Sequence, residues 1–249
     1  MSERRAAVTG GNKGIGLAVV ERLAADGFSV VAMARDPEAL AKAAATVAGD
    51  VETVVCDVAD PDSVAAAFAA TGPCDVLVNN AGVADSAPVR SIPLEQWDRL
   101  MRVNALGPLL CIQQVLPGMT ARNHGRIVTV ASIASHQGGP YMGAYAASKH
   151  AVLGMMRSLA TELAGTGVTA NSVCPGYVRT PMTEQTVARI REKTGRSEEE
   201  AMAVLIGRTR LGRLIEPEEV AAAVAYLVSD GAAAVNGQSI LIDGGDLQQ

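Results

Sequence analysis

Apolar and polar residues follow two recurring patterns along this chain. Short runs of β-branched and other apolar residues are typical of buried strands, and they predict seven: Ala6–Thr9, Ser29–Ala34, Val51–Cys56, Val76–Asn79, Arg126–Ser132, Thr169–Cys174 and Ser239–Ile242. The longer segments between them have helical spacing, most clearly at Gly14–Ala25, Leu94–Thr120, Tyr141–Ala164 and Pro217–Val228. This alternation predicts an α/β fold, a doubly wound parallel sheet with helices on both faces.

Local signals refine this pattern. Asp36-Pro37 and Asp60-Pro61 each combine a capping carboxylate with a proline in the first turn, so a helix should begin at both places. The Leu94–Thr120 helix should bend near Gly107-Pro108. No shift in composition divides residues 1–249, which predicts a single domain.

Residues 182–214, which we call the lid segment, interrupt the alternation of strands and helices. The segment is helical in pattern and rich in charge, with Arg189, Glu192 and Glu199 among its charged residues. It directly follows the carboxyl end of a strand, which is where ligands bind in such sheets. We therefore interpret it as a lid over the substrate site, with a solvated surface insertion as the alternative.

Composition narrows the class of protein. The chain has 249 residues, of which 49% are apolar, and this excludes global disorder. Its formal net charge of −5 argues against nucleic-acid binding. No stretch has the pattern of a membrane span or signal peptide, so we expect a soluble, cytoplasmic protein. The four cysteines are scattered without a CxxC pair, which predicts buried free thiols and no metal site.

The first strand leads into a glycine-rich turn, Thr9–Gly16, and then into a helix. Glycines at positions 10, 14 and 16 let the backbone approach a pyrophosphate closely, and the helix N-terminus supplies N–H donors. The spacing differs from the usual dinucleotide-binding fingerprint, so an ordinary glycine-rich turn is the alternative. The predicted cofactor contacts in this turn are Gly10, Asn12, Lys13, Gly14, Ile15 and Gly16.

The end of the second strand distinguishes NAD from NADP. Asp36 stands where an acidic residue could bind the ribose 2′-hydroxyl of NAD, but its position before Pro37 is typical of a helix cap. Arg35 and Lys13 could instead neutralise a 2′-phosphate through charge-assisted hydrogen bonds. The sequence therefore favours NADP(H) over NAD(H).

A tyrosine and a lysine stand four residues apart, at Tyr145 and Lys149, which places them on one face of a helix. A nearby cation should lower the pKa of the phenol and make it a usable acid and base. Ser132 lies thirteen residues before Tyr145 at a strand end, where its hydroxyl could polarise a carbonyl, and Ser135 is a near alternative. An incidental surface pair and a solvated loop serine would explain the same residues without function.

These elements occur in one order along the chain: Thr9–Gly16, Asn79–Gly82, Asn104, Ser132, Tyr145 with Lys149, and Pro175-Gly176. Together they resemble the classical short-chain dehydrogenase/reductase family. The resemblance extends from Thr9 to Gly245 and implies a Rossmann-type sheet and an oxidoreductase acting on a ketone or a secondary alcohol. The individual motifs are weak, but their combination is highly specific.

The resemblance implies a role for each of four residues. Tyr145 is the general acid and base toward the substrate oxygen, and Lys149 binds the nicotinamide ribose and lowers the pKa of the tyrosine. Ser132 hydrogen-bonds the substrate oxygen. Asn104 holds a water that extends a proton relay from the lysine. All four are present, which argues against a non-enzymatic nucleotide-binding protein.

The resemblance also implies contacts with the cofactor beyond the glycine turn. The turns after the third and fourth strands match the adenosine side, and the stretch after the sixth strand matches the nicotinamide side. Ala34 stands where NAD-preferring relatives carry Asp, so the resemblance also implies NADP(H). The implied contacts are Arg35, Asp57, Val58, Asn80, Ala81, Gly82, Tyr145, Lys149, Pro175, Gly176, Val178 and Thr180.

The substrate is less constrained by the sequence. Residues near the catalytic strand ends and at the start of the lid segment are the predicted substrate contacts: Ser132, His136, Tyr141, Tyr177 and Met182. A wall role is favoured over a catalytic one for His136. The stretch from Val173 to Met182 is similar to ketoreductases acting on acyl thioesters and aromatic polyketides, which favours a β-ketoacyl or polyketide-like ketone.

Several alternatives stay open. An alcohol or hydroxyacid dehydrogenase working in the oxidative direction has the same motifs. Arg191, Arg208 or Arg210 could meet the phosphopantetheine of a carrier-bound substrate, or they could belong to an ordinary charged helix surface. Family members are commonly tetramers, so we expect a homotetramer. No G-x-S-x-G motif is present, which disfavours a serine hydrolase.

Overall fold

A computed structural model describes residues 4–248 of the chain. Within them, one parallel sheet has the strand order β3-β2-β1-β4-β5-β6-β7. Its strands are β1 (Arg5–Thr9), β2 (Ser29–Ala34), β3 (Val51–Val55), β4 (Val76–Asn79), β5 (Gly125–Val130), β6 (Val168–Pro175) and β7 (Ser239–Ile242). The predicted doubly wound parallel sheet is confirmed. The ends of the predicted domain, residues 1–3 and 249, lie outside the described residues.

Helices cover both faces of the sheet. They are α1 (Gly14–Ala25), α2 (Pro37–Ala44), α3 (Pro61–Thr71), α4 (Leu94–Met101), α5 (Gly107–Ala121), α6 (Gly143–Glu162), α7 (Pro181–Thr194), α8 (Glu198–Ile206) and α9 (Pro217–Val228). The core on one face contains buried residues of α1, α2 and α9, and the core on the other contains those of α3, α5 and α6.

The two cores follow from the alternation of side chains along each strand. In β1, Ala6 and Val8 belong to the first core, whereas Ala7, between them, belongs to the second. All three side chains are 0% exposed. A central strand that is buried on both faces reads as a continuous apolar run, which is why the sequence pattern located it well.

The strand order places the functional edge of the sheet. β1 is followed in sequence by β2 on one side, and β4 pairs with it on the other. The connection that follows β1 therefore runs to one side of the sheet, and the connection that follows β4 runs to the other side. A crevice opens at such a switch point, outside the carboxyl ends of the strands.

The predicted Leu94–Thr120 helix is interrupted by a five-residue π-helix, Arg102–Leu106. The interruption lies just before Gly107-Pro108, so the predicted break is present but is one turn earlier. A π-helix shifts the backbone hydrogen bonds by one residue and often occurs at functional sites. Asn104 lies in its centre and is buried.

Two other predicted boundaries were wrong. β5 ends at Val130 rather than at Ser132, because Ser132 begins a short 3-10 helix, Ile133–Ser135, and its Oγ accepts the Ala134 N–H at 3.0 Å. α6 begins at Gly143 rather than at Tyr141. Tyr141 has φ +66°, in the left-handed region, and cannot belong to a right-handed helix.

The lid segment contains α8 and nearly all of α7. Val187, Ala201 and Leu205 form a small apolar cluster of their own, against which Tyr177 packs. All four cysteines are free and buried, as predicted. Among residues 4–248, no helix is long and apolar enough to cross a membrane.

Candidate active site

The turn between β1 and α1 is compact because it packs against the loop after β4. Gly10 has φ +67°, a conformation that favours glycine. A Cβ on Gly16 would collide with the Gly10 carbonyl oxygen and with the Asn80 side chain. Thr9 Oγ1 accepts hydrogen bonds from the backbone N–H groups of Asn80 and Ala81, both at 3.0 Å. The turn therefore leaves a cradle in which a ligand can approach the backbone itself.

Two exposed cations accompany this turn. Lys13 is the N-cap residue of α1, and Arg35 follows the last residue of β2. The neighbouring carboxylate, Asp36, is already engaged as a helix cap, because its Oδ1 accepts the N–H groups of Glu38 and Ala39 at 3.0 and 3.1 Å. The predicted capping role of Asp36 is confirmed.

The other predicted cofactor contacts also lie at the carboxyl edge of the sheet. Asp57 and Val58 follow β3, and the Asp57 Oδ1 accepts the Ala59 N–H at 3.0 Å. Pro175 ends β6, and Thr180 caps α7 a few residues later. The structure thus brings together residues from five strand ends: Gly10, Asn12, Lys13, Gly14, Ile15, Gly16, Arg35, Asp57, Val58, Asn80, Ala81, Gly82, Pro175, Gly176, Val178 and Thr180.

Ser132, Tyr145 and Lys149 form one cluster beyond the end of β5. Ser132 is buried, and its hydroxyl lies close enough to the Tyr145 phenol to lower the pKa of that phenol. Lys149 is 6% exposed, and its Nζ donates to the Val130 carbonyl oxygen at 2.9 Å. The same Nζ lies 5.9 Å from the centre of the Tyr145 ring. The pair is therefore not an incidental surface pair.

Burial determines the protonation states in this cluster. It raises the pKa of the Tyr145 phenol above its usual range, the Ser132 hydroxyl opposes that shift, and Tyr177 adds to it. Burial also lowers the pKa of the Lys149 ammonium to about 8, against a small opposing effect of Cys174. The pKa of the tyrosine is therefore raised overall rather than lowered as expected, because burial is the larger cause. Near pH 7 the phenol keeps its proton and acts as a hydrogen-bond donor.

Asn104 is tied to the loop after β4. Its Oδ1 accepts the Val83 N–H and its Nδ2 donates to the Val83 carbonyl oxygen, both at 2.9 Å. Its Nδ2 also donates to Ser148 Oγ at 3.0 Å. Ser148 in turn donates to the Tyr145 carbonyl oxygen at 2.8 Å. These bonds link the π-helix, the loop after β4 and the helix that carries Tyr145 into one network.

Sequence reasoning assigned no role to Ser148 or Val83. Ser148 was visible inside the Tyr145–Lys149 segment, but its partner lies 44 positions away in the chain. Val83 acts through its backbone, so its side chain gives no signal. The one clue in the sequence was that Ser148, a polar residue, directly precedes Lys149 in a helix that should be largely buried.

The predicted substrate contacts surround the Ser132–Tyr145 pair unevenly. Tyr177 lies close enough to raise the pKa of Tyr145, and its hydroxyl accepts from Arg208 Nη1 at 3.4 Å. Met182, in the first turn of α7, is half-exposed, and Tyr141 is more exposed still. Of these three residues, only Tyr177 is shown close to Tyr145, so the roles of Met182 and Tyr141 stay predictions.

His136 was predicted to form a wall rather than to act in catalysis. Burial lowers the pKa of its imidazole, and Arg157 and His150 on α6 lower it further. The ring is therefore neutral near pH 7. A neutral ring suits a wall and a base alike, so the wall role stays a prediction.

The residues at this edge fit a dinucleotide with a 2′-phosphate. The cradle at Gly10 and Gly16 would be closed by a Cβ, and Lys13 and Arg35 place cations beside it. Gly82 approaches the catalytic end, since a Cβ there would lie 3.8 Å from Lys149 Nζ. NADP(H) supplies or accepts a hydride when it is bound, and the Ser132–Tyr145 pair can polarise a carbonyl and deliver a proton to it.

Comparison with known proteins agrees with this geometry. A family model described as enoyl-(acyl carrier protein) reductase matches residues 10–246. The chain is 44% identical, over 96% of its length and 92% of the relative, to a Streptomyces violaceoruber protein named as a ketoacyl reductase of the granaticin polyketide synthase. It is 37% identical to the 3-oxoacyl-(acyl-carrier-protein) reductase of Thermotoga maritima, over 96% and 95% of the two chains. The D-beta-hydroxybutyrate dehydrogenase of Rhizobium meliloti is 34% identical, over 97% and 98%.

Solved structures give the same result. A crystal structure of an actinorhodin polyketide ketoreductase variant with NADPH superposes with a TM-score of 0.92 at 38% identity, and the match covers 98% of this chain and 97% of that one. The fold and the site define a nicotinamide-dependent oxidoreductase. The chain belongs to the short-chain dehydrogenase/reductase family. The predicted family, Rossmann-type fold and enzyme class are confirmed.

Proposed function

We propose that this chain is an NADPH-dependent ketoreductase that reduces the keto group of a β-ketoacyl or polyketide-like substrate. It has one catalytic domain, with residues 182–214 as its substrate lid. The observation that carries the proposal is the cluster of Ser132, Tyr145 and Lys149 at the end of β5, in which Ser132 and Lys149 are buried and Lys149 Nζ lies 5.9 Å from the centre of the Tyr145 ring. Two hydroxyl donors that converge on one point match the needs of a ketone oxygen that gains negative charge.

The residues would divide the work as follows. Ser132 and Tyr145 donate hydrogen bonds to the ketone oxygen, and Tyr145 transfers its proton to that oxygen as the carbonyl carbon is reduced. The Lys149 ammonium stabilises the negative charge that the phenol then acquires. Asn104 fixes the loop after β4 through Val83 and so holds the network in register. General acid catalysis of this kind contributes roughly 10²–10⁴-fold.

The substrate class rests on the relatives and on the lid. Three of the curated relatives are named as ketoacyl reductases of Streptomyces, and a fourth as a 3-oxoacyl-(acyl-carrier-protein) reductase. The substrate side offers Tyr177 and Met182 as apolar walls. A thioester on coenzyme A or on a carrier protein therefore fits, and Arg191, Arg208 and Arg210 are the cations of the lid segment that could meet its phosphopantetheine.

The test is a screen of NADPH oxidation over β-ketoacyl thioesters, cyclic ketones, quinones and small keto acids, each as a free, CoA-bound and carrier-bound form where it exists. We expect the highest kcat/KM with a β-ketoacyl or polyketide-like ketone. A clear preference for small keto acids or quinones would contradict the proposed substrate class. Equal or better use of NADH would contradict the cofactor preference.

An alcohol or hydroxyacid dehydrogenase is the second candidate, favoured by the similarity to D-beta-hydroxybutyrate dehydrogenase. Oxidation needs the deprotonated phenol, and the raised pKa of Tyr145 keeps that form scarce at pH 7. We therefore expect reduction to dominate near neutral pH and oxidation to increase as pH rises. Faster oxidation than reduction at pH 7, with both cofactor forms at saturation, would favour this second candidate.

The proposal includes a cytoplasmic homotetramer. The four buried free thiols suit a reducing compartment. Leu94 is 79% exposed and Trp97 is 39% exposed, both on α4, and a shallow groove of about 290 Å³ between Asp98 and Leu106 continues this face. An exposed apolar helix face fits burial against a second copy. Light scattering at micromolar concentration tests it, and a monomer would contradict it.

A further inference from the structure

An ion pair connects the lid segment to the loop after β4, on the other side of the dinucleotide crevice. Arg189 Nη1, on α7, lies 3.0 Å from Asp85 Oδ1. Asp85 stands three residues beyond Gly82, which approaches Lys149. The contact therefore joins the two sequence elements that border the catalytic end of the cofactor site.

Asp85 is held ready for this contact. Its Oδ2 accepts from Arg99 Nη2 on α4 at 2.8 Å, and its Oδ1 accepts the Ser86 N–H at 2.8 Å. α4 packs against α6, the helix of Tyr145 and Lys149. The carboxylate is thus anchored to the rigid part of the molecule, and Arg189 is its partner on the lid segment.

The other end of α7 contacts the glycine turn. Thr180 caps this helix, and its Cγ2 lies 3.1 Å from where a Cβ on Gly14 would be. Arg189 follows nine residues later, so α7 extends about 13 Å between its two attachments. α7 is therefore attached to the glycine turn after β1 near one end and to the loop after β4 near the other, and both of these elements carry predicted cofactor residues.

We propose that the Asp85–Arg189 ion pair is a clasp that holds α7 over the dinucleotide groove and opens to admit NADPH and to release NADP⁺. An α7 attached at both ends limits access to the groove, and the attachment that opens is the Asp85–Arg189 link. Its side chains are 27% and 34% exposed, and ion pairs of this kind contribute little to stability. Arg189 and Asp85 are positioning residues, since they act through the lid rather than on the substrate.

A clasp has a kinetic signature that a binding contact lacks. Removing it speeds entry and release together, so that the Kd hardly changes. Removing a contact with the cofactor speeds release alone and raises the Kd by the same factor. The clasp is tested by cofactor binding alone. It can therefore fail while the proposed ketone reduction is correct, and it can be correct while the proposed ketone reduction fails.

The experiment is stopped-flow fluorescence of NADPH association and dissociation with the full-length protein. In Arg189→Met we expect both rate constants to rise about threefold to fivefold, with the Kd within about twofold of the wild-type value. Salt also screens the attraction between NADPH and the exposed Lys13 and Arg35, so wild type and variant are compared at one fixed salt concentration. Arg189→Lys should restore rates close to those of the wild type, because the contact with Asp85 is a single charged one.

Arg191→Met is the matched control. It removes the same side-chain type two residues away, but its partner, Glu198, lies within the lid segment itself. We expect wild-type rates. Unchanged rates in Arg189→Met, equal acceleration in Arg191→Met, or faster dissociation without faster association would each overturn the clasp. Melting temperatures confirm that the variants compared are folded.

Discussion

The catalytic edge and the lid are held by different kinds of contact. At the edge, Asn104, Ser148 and Lys149 are all buried and bond to backbone carbonyls or to one another at 2.8–3.0 Å. The lid is tied to the loop after β4 by a partly exposed ion pair, Arg189 with Asp85, and its own two helices are joined by another, Arg191 with Glu198. Buried hydrogen-bonded networks are costly to disturb, whereas exposed ion pairs are worth little. The catalytic residues are therefore held rigidly, whereas the lid segment can open.

The largest effect on activity should come from a substitution of Lys149 in the rigid catalytic cluster. Lys149→Met removes the cation beside the phenol, and we expect kcat to fall about 10²–10³-fold. The unliganded variant should nevertheless be more stable by about 1–3 kcal/mol at pH 7, because the wild type buries an ammonium whose pKa is lowered to about 8. Chemical denaturation measures the second effect.

The pH dependence of that stability difference has a definite sign. Below pH 8 the lysine is charged in both states, so the full cost of burying it is present. Between pH 8 and its ordinary pKa, the unfolded state binds the proton that the folded state has lost, and the wild type gains stability. The advantage of Lys149→Met should therefore shrink as pH rises from 8 to 10. A constant or growing advantage would contradict the assignment, and Lys42→Met, at an exposed site, is the control.

A smaller effect should come from the adenosine side of the groove. Arg35→Ser removes a cation from the predicted 2′-phosphate site, and we expect the KM for NADPH to rise about tenfold or more, with kcat for NADH unchanged. Arg22→Ser, which breaks an exposed ion pair on α1, should alter neither value. An equal loss with NADH and NADPH would show that Arg35 does not discriminate between the cofactors.

The smallest effect should come from the substrate wall on the lid. Met182→Ala should change the KM for a β-ketoacyl substrate by less than about tenfold and leave the KM for NADPH unchanged, because one apolar contact is lost. Leu211→Ala is matched to it, since the two side chains are 38% and 37% exposed. Leu211 packs against Gly244, so we expect no change in either KM. Equal changes in the substrate KM for the two variants would show that Met182 does not contact the substrate.

The sequence was informative where local patterns determine structure. The capping roles of Asp36 and Asp60 follow from the neighbouring proline and are present as predicted. The order of motifs also located the family and the cluster around Tyr145. The ends of β5 and α6 were misplaced, because the Ser132 cap and the left-handed Tyr141 depend on tertiary packing.

The sequence failed where an effect depends on burial or on distant partners. Tyr145 and Lys149 are neighbours on a helix, and spacing alone suggested that the cation dominates the pKa of the phenol. Burial is the larger cause for both groups, and only a structure shows it. The Asp85–Arg189 pair joins residues that are 104 positions apart, and neither has a neighbour that marks it.

The central claim is that Tyr145 delivers the proton in a site that binds NADPH independently of it. The direct measurement is the single-turnover rate of NADPH oxidation by a β-ketoacyl thioester, in the wild type and in Tyr145→Phe, together with the NADPH Kd of each. We predict a rate at least about 100-fold lower in the variant, with an unchanged Kd. A rate within tenfold of the wild type would contradict the account.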